Sequence, residues 1–416
     1  MSLSTGVTRP FSLQTKVPGC ELHVRSFTGE EAVSRLFQFR VVAHADAHVP
    51  VEALLGQSVT FAMAPRAAPE RRFLALIASV DELGADDHHR PLYALELVPR
   101  LWAMTRTIQA RVFTDANALG ILDKVFEGSG IRVQDETLKA APVRPYCVQY
   151  FESDFDFAAR LLEEEGYIYQ YEAQGEKPVF TVRELPSPCQ RAGPVFFRDV
   201  TGGPEERIAS WKKTRILAAT TVNARDHLFE TESALLTATA RLPENRIPGW
   251  EPLAAGWSAS IDRYPGQWAH LFEEVQRGGG AGDLDGYVAA GGLRAQHDLY
   301  QTAGWTSGSE GEGNCPRLVP GAVFDLVGHS TSAGAHFVVS VRHEGSQALD
   351  HSSRGAPGFD YQNRFTCVPH EAITLWRPPR STRKPVIHGC QTARVRGASG
   401  VSDIWTDRYG RVQVQF

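Results

Sequence analysis

The sequence predicts a mainly β fold of α+β type, with two related β units separated by a smaller α+β unit. Three observations carry this expectation. Runs of alternating apolar and polar residues dominate the 416-residue chain, and 37 Gly and 25 Pro supply frequent turns. A pattern also recurs: Gly56-x-x-Val59-x-Phe61, then Phe73 to Val80, then Tyr93 to Val98-Pro99. It returns roughly 265 residues later as Gly321-x-Val323-Phe324, Phe337 to Val341 and Tyr361 to Val368-Pro369. Between the copies, residues 144–172 (RPYCVQYFESDFDFAARLLEEEGYIYQYE) read as strand, helix, strand.

Residues 1–110 form the first β unit. Glu21 to Phe27 and Leu36 to Val42 alternate, with a Thr-Gly-Glu-Glu break at residues 28–31. Val59 to Phe61, Phe73 to Val80 and Leu92 to Val98 continue the series, and Asp86 to Pro91 reads as a polar turn. Residues 111–185 form the α+β unit. Asn117 to Glu127 is a short helix stopped by Gly128. Tyr146, Val148 and Tyr150 alternate with Cys147 and Gln149 as in a half-buried strand. Ser153 caps the next helix, with Asp156 three residues on. Phe155, Ala158, Leu161 and Leu162 give that helix its apolar face, and Gly166 ends it. Tyr167, Tyr169 and Tyr171 share a face of the following strand, and Pro178 to Val182 is another.

Residues 186–370 return to β with inserted loops. Ile208 to Trp211, Ile216 to Val222 and Ala234 to Ala240 are strand-like. Gly278 to Gly286 reads as flexible, Tyr287 to Tyr300 as a helix weakened by Gly291 and Gly292, and Thr306 to Asn314 as a loop. Residues 371–385 make a stiff Pro-rich linker. Within 386–416, Val386 to Val395, Asp403 to Thr406 and Arg411 to Phe416 read as strands.

One stretch breaks a local rule. Glu163, Glu164 and Glu165 crowd a helix C-terminus, where each carboxylate costs about 0.3–1 kcal/mol against the helix dipole if exposed. Arg160 offsets part of this by pairing with Glu164 and with Asp156. The cluster reads either as an acidic patch facing basic groups across a seam or as a solvated helix end.

The net charge of −5 argues against a nucleic-acid partner. Six cysteines, at 20, 147, 189, 315, 367 and 390, make no C-x-x-C pair, so neither a zinc site nor a disulfide scaffold is expected. No signal-peptide core opens the chain and no run of about 18 apolar residues occurs in it. Catalytic constellations are missing. There is no G-x-S-x-G, and His343-Glu344 and His370-Glu371 lack the second His of a zinc helix. Gly308-x-x-Gly311-x-Gly313 has no phosphate-binding Lys after it. His88-His89 beside Asp86-Asp87 reads as a solvated turn, and a carboxylate pair drawn from 163–165 lacks a cleft. Two basic runs remain unassigned, Trp211-Lys212-Lys213-Thr214-Arg215 and Arg377 to Lys384. No catalytic, cofactor-binding or metal-ligating residue is assigned, and no cofactor is expected.

The run Tyr146-Cys147-x-Gln149-Tyr150-x-Glu152-Ser153-x-x-x-Phe157-x-x-Arg160-Leu161-x-Glu163-Glu164-Glu165-Gly166 resembles the signature of the valine-glycine repeat (VgrG) spike proteins of the type VI secretion system, relatives of contractile phage tail hubs. Thr406-Asp407-x-Tyr409-Gly410-Arg411-Val412-x-Val414-Gln415-Phe416 resembles that family's entry into an OB-fold. The resemblance implies two tail-hub-like β-barrels, at 1–110 and 186–370, around the 111–185 insertion, with the incomplete start of an OB-fold at 386–416. It implies a homotrimer seated on a hexameric Hcp-like tube, synthesis without a signal peptide, export by the secretion apparatus and transient contact with a target membrane. Effector or adaptor partners would bind mainly through a region beyond Phe416. Tyr150, Glu152, Ser153, Arg160, Glu163, Glu164, Glu165, Tyr409 and Gly410 are the structural or interface candidates. Charge reversal at Glu163 and Glu165 is expected to weaken the trimer. The rival readings are a phage or extracellular contractile-particle hub, a cell-wall hydrolase riding on a spike, and an inactive truncated copy.

Overall fold

The computed structural model describes residues 9–64, 70–136, 141–174, 177–184, 189–198, 206–229, 235–242, 258–269, 284–348, 358–397, 405–406 and 409–416. The first β unit contains β1 (Phe11–Thr15), β2 (Leu22–Ala32), β3 (Gln38–Ala45), a short helix α1 (Val51–Leu54), β4 (Ser58–Met63), β5 (Arg71–Ala85) and β6 (Pro91–Pro99). The strands pair in the order β1-β4-β5-β6-β3-β2, and β2 meets β1 again, so six strands close into a barrel. Alternation dictates what fills it. Phe27, Phe39, Phe61 and Phe73 all point inward and are buried, with the Phe39 and Phe73 rings 4.6 Å apart and the Phe27 and Phe61 rings 5.0 Å apart. The break expected at Thr28 to Glu31 is not one. β2 runs through it, because its far half gains a second strand partner remote in sequence, and the chain turns at Ser34 instead.

The α+β unit follows: β7 (Ile108–Ala116), α2 (Ala118–Phe126), β8 (Arg132–Asp135), β9 (Arg144–Ser153), α3 (Asp154–Glu165), β10 (Ile168–Gln174) and β11 (Lys177–Arg183). β7 and β9 form a two-stranded ribbon, and β10, β11 and β8 a three-stranded sheet. Asn117 caps α2 by accepting from the Gly120 N–H at 2.8 Å. Ser153 caps α3, accepting from Asp156 N at 3.0 Å and donating to its carboxylate at 2.7 Å. Ser153→Ala is expected to cost about 1 kcal/mol, read as a lower urea midpoint. Gly166 ends the helix at φ +71°, the left-handed cap its sequence position predicts. The strand before α3 alternates as expected: Cys147 and Gln149 face inward, while Tyr146 is exposed. The buried Gln149 is satisfied by donating to Glu152 O at 3.0 Å and Asp154 Oδ1 at 2.9 Å.

The second β unit comprises β12 (Arg191–Phe197), β13 (Arg207–Arg215), an insert, β17 (Ser307–Gly313), β18 (Val323–Val327), β19 (Gly334–Gln347) and β20 (Phe359–Pro369). The insert consists of more than loops. β14 (Thr221–Asp226), β15 (Leu236–Arg241) and β16 (Ser260–Arg263) form a sheet in the order β15-β14-β16, covered by the 20-residue helix α4 (Leu284–Ala303). Val222, Ala224, Leu236, Trp268, Ala295 and Leu299 make its core. Gly291, a weak helix former, sits where the Trp268 indole crosses α4; a Cβ there would lie 2.8 Å from the ring. Residues 278–283 of the Gly-rich stretch lie outside the described residues. Thr306 to Asn314, expected as a loop, carries β17, whose Gly311 lies under the Phe365 ring, again with no room for a Cβ. Residues 216–220 belong to no strand; β13 ends at Arg215 and β14 starts at Thr221.

This unit also closes into six strands, in the order β12-β18-β19-β20-β17-β13 and back to β12. Matching β1, β2, β3, β4, β5 and β6 to β12, β13, β17, β18, β19 and β20 gives the same neighbours throughout. The likeness reaches single hydrogen bonds. Gly56 (φ +75°) donates to Ile77 O, and Gly321 (φ +85°) donates to Val338 O, both at 2.9 Å. β5 bulges between Ile77 and Ser79, and β19 between Val338 and Ser340. β2 bulges between Val24 and Ser26, and β13 between Ile208 and Ser210. β6 and β20 both end in Val-Pro and pass into a 3-10 turn, over Arg100–Thr105 and His370–Ala372. One strand departs from the match. β1 runs antiparallel to β4 and β2, whereas β12 runs parallel to β18 and β13. The barrels fuse through β2 and β19, which pair antiparallel over seven residues, from Ser340↔Ala32 to Ser346↔Ser26.

After the second barrel, the first half of the 371–385 segment packs, with Ile373, Trp376 and Arg377 buried, while residues 379–385 are exposed or half-buried. β21 (Arg394–Arg396) and β22 (Gln413–Gln415) then form an exposed two-stranded ribbon. Of the strands expected at Val386 to Val395, only its last two residues fall in one, and residues 401–404 lie outside the described residues.

Candidate functional site

Two buried polar clusters tie the units together. The first lies at the fusion of the barrels. Glu31 on β2 accepts from both Arg71 guanidinium nitrogens, at 2.8 and 2.9 Å, and contacts His343 Nε2 on β19 at 2.9 Å. His343 Nδ1 lies 2.7 Å from the Tyr361 hydroxyl, and Asn363 donates to that hydroxyl at 3.3 Å and to Cys315 O at 2.7 Å. Burial opposes the Glu31 charge, but Arg71 and His343 overcome it and hold the carboxyl at about 2. Burial also lowers the His343 pKa, so the ring is neutral at pH 7. His343-Glu344 is therefore part of a structural network spanning both barrels.

The second cluster is the C-terminus of α3, where the three glutamates collect. None is solvated as a free helix end: Glu163 and Glu164 are buried, and the Glu165 side chain is 12% exposed. Arg144 donates to Glu164 at 2.7 Å and also to Glu165. Arg160 meets Glu164 at 3.7 Å, but its main partner is Glu152, bound through Nε at 2.8 Å and Nη2 at 2.6 Å, in place of the expected Asp156. Asp156 is engaged with Ser153 instead. Glu163 accepts from Thr382 N at 3.1 Å, Thr382 Oγ1 at 2.9 Å and Ser381 Oγ at 3.2 Å. The last carbonyls of α3 are capped from α4, Glu163 O by Gln301 at 2.8 Å and Glu164 O by Arg294 at 2.7 Å. Burial works against the charge of Glu164, yet Arg144, Lys384 and Arg294 pull its pKa far below the carboxylate range. The basic groups that meet this cluster thus come from β9, α3 itself, α4 and the 380s of the same chain.

The remaining candidates are peripheral. The Tyr150 hydroxyl accepts from Gln391. Tyr409 packs its ring 5.3 Å from Phe229, with the Arg411 guanidinium over both, and Gly410 turns at φ +76°. Asp86 is held by Arg90 and by the N–H groups of His88 and Arg90, which makes the 86–91 segment a hydrogen-bonded turn. Among the described residues one His/Asp grouping stands close enough to share an ion, His23, His44 and Asp46, and there Arg9 already contacts His23 Nδ1 at 2.6 Å. Sequence reasoning passed over Glu31, Arg71, Arg144, Arg294 and Gln301. Their partners lie up to 312 positions away, and no local spacing marks them.

Residues 30–349 match the family model described as phage tail baseplate hub (GPD). The chain is similar to the type VI secretion system spike protein VgrG1b of Pseudomonas aeruginosa, 24% identical over 404 residues, covering 95% of this chain and 51% of that protein. It is also similar to VgrG5 of the same organism, 28% identical over 425 residues, covering 98% and 50% respectively. The chain thus spans about half the length of the curated relatives it matches. In fold it resembles the E. coli c3393 protein, described as a type VI secretion component similar to bacteriophage T4 tail proteins gp27 and gp5. The TM-score is 0.67 at 16% identity, over 97% of this chain and 89% of that one.

Proposed function

The chain belongs to the phage tail baseplate hub family, and from that premise we propose that it is the hub portion of a type VI secretion spike. In this reading three copies form a ring, the ring caps a hexameric Hcp-like tube, and effectors or adaptors ride on the spike. The role is mechanical rather than enzymatic. Sheath contraction supplies the work, and the apparatus carries the protein out of the cell and against the target membrane.

One observation carries the proposal: a single chain holds two six-stranded barrels of matching strand order and matching bulges. Three such chains present six near-equivalent barrels around one axis, which suits a six-fold tube. The two barrels are joined by β2–β19 pairing and by the Glu31–Arg71–His343 network, so they have the rigidity that force transmission needs. Light scattering on the purified chain is expected to give three times the 45.8 kDa chain mass, with ring-shaped particles in negative-stain images. A monomer at all concentrations would overturn the reading.

A further inference from the structure

The strand pairing that joins the two barrels inside the chain leaves its own counterpart open. Within the chain, the β2 edge of the first barrel pairs with the far half of β19 in the second. By the strand match, β13 corresponds to β2, and β5 corresponds to β19. Both corresponding edges lack a second strand among the described residues. β5 pairs with β4 only as far as Leu76, and from Ser79 to Ala85 it has β6 alone. β13 pairs with β12 only at Arg207 and Ile208, and from Ser210 to Arg215 it has β17 alone. Long edges of this kind are templates for another chain.

We propose that β5 of one copy pairs antiparallel with β13 of the next copy, repeating between chains the β19–β2 pairing within them. This rests on the hub reading above and gives it an interface. The shared bulges fix the register. Ser340, Val341, Arg342 and His343 face Ala32, Glu31, Glu30 and Gly29. Their counterparts are Ser79, Val80, Asp81 and Glu82, which then face Ile216, Arg215, Thr214 and Lys213 of the neighbour.

Charge complementarity supports the same register. The exposed β5 half is acidic, with Asp81 beside Arg40 at 2.8 Å and Glu82 beside His48 at 3.3 Å, and the exposed β13 half is basic, with Lys212 3.5 Å from Glu310, Lys213, and Arg215 donating to Ser307. In the intrachain seam the Glu31 carboxylate reaches His343 diagonally across the pair. At the proposed seam Arg215 takes the place of Glu31, and Glu82 that of His343, so the same diagonal brings a guanidinium to a carboxylate. The contact is head to tail, a β13 edge always meeting a β5 edge, and such heterologous contacts build closed rings when the rotation permits.

The test uses the full chain. Glu82→Lys and Lys213→Glu, both at exposed positions, are each expected to lower the trimer fraction at least tenfold at fixed concentration, without changing the circular dichroism spectrum. Combining them in one chain is expected to restore the trimer. Asp81→Cys with Thr214→Cys is expected to give oxidised dimers and trimers on a non-reducing gel, since facing strand residues lie within disulfide reach. A trimeric wild type whose trimers ignore both charge reversals and fail to cross-link at these positions would overturn this pairing and leave the hub reading standing. A monomeric wild type would remove both.

Discussion

Arg144→Ala is expected to give the largest loss of stability of any single substitution in the α+β unit, about 3–5 kcal/mol, seen as a sharply lower urea midpoint or loss of soluble protein. The guanidinium is 5% exposed and serves Glu164 and Glu165 together. Its removal leaves the buried Glu164 with only the more distant Arg160 and Lys384, each 3.7 Å away, and takes from Glu165 its guanidinium partner. The cost is that of uncompensated charge, not of one lost contact. The double variant Arg144→Met, Glu164→Leu is therefore expected to recover a large part of the loss. If the double variant is as unstable as the sum of the singles, this account of the cluster fails. Charge reversals at Glu163 and Glu165 act on the same cluster. They are expected to unfold the region before they report on assembly.

Glu31→Ala is expected to cost a similar amount at neutral pH, because it strands the Arg71 and His343 side chains at the junction of the barrels. This variant also carries a pH signature. The Glu31 carboxyl titrates at 4.5 in the unfolded reference and at about 2 in the fold. Its contribution is complete above pH 4.5 and is lost as pH falls towards 2. At 1.36 kcal/mol per unit that amounts to about 3 kcal/mol. The buried His343 acts in the same direction, since the unfolded chain takes up its proton below pH 6.5 while the folded ring resists. Wild-type stability should thus fall steadily on acidification from pH 6.5, and the Glu31→Ala profile should be flatter below pH 4.5. Parallel profiles would show that the carboxylate does not carry this contribution.

The elements best read in sequence were those whose signals are local. Ser153, Asp156 and Gly166 bracket α3 through hydrogen bonds and a backbone angle set within the helix itself. The duplication was visible because equivalent turns need equivalent residues, Gly56 and Gly321 above all. Two misreadings have one cause. Thr28 to Glu31 stays in a strand and Thr306 to Asn314 becomes one, each because a strand distant in sequence supplies hydrogen bonds that composition cannot reveal. The same holds for the glutamates of α3. A helix end that looks unfavourable in isolation is neutralised by Arg144, Arg294 and Lys384, contributed by segments 20 to more than 200 positions away.

The reversed direction of β12 gives the two barrels different rims. A strand run backwards presents its carbonyl and amide positions in another phase, so one wall of the second barrel cannot mimic its twin. An assembly of three chains would therefore offer a six-fold cylinder two alternating sockets rather than six identical ones. In such an assembly, identical cylinder subunits would engage all six only through the five strands that match, which would confine docking to surfaces away from β1 and β12. Whatever recognises the sixth strand would occur once per chain, and could count in threes.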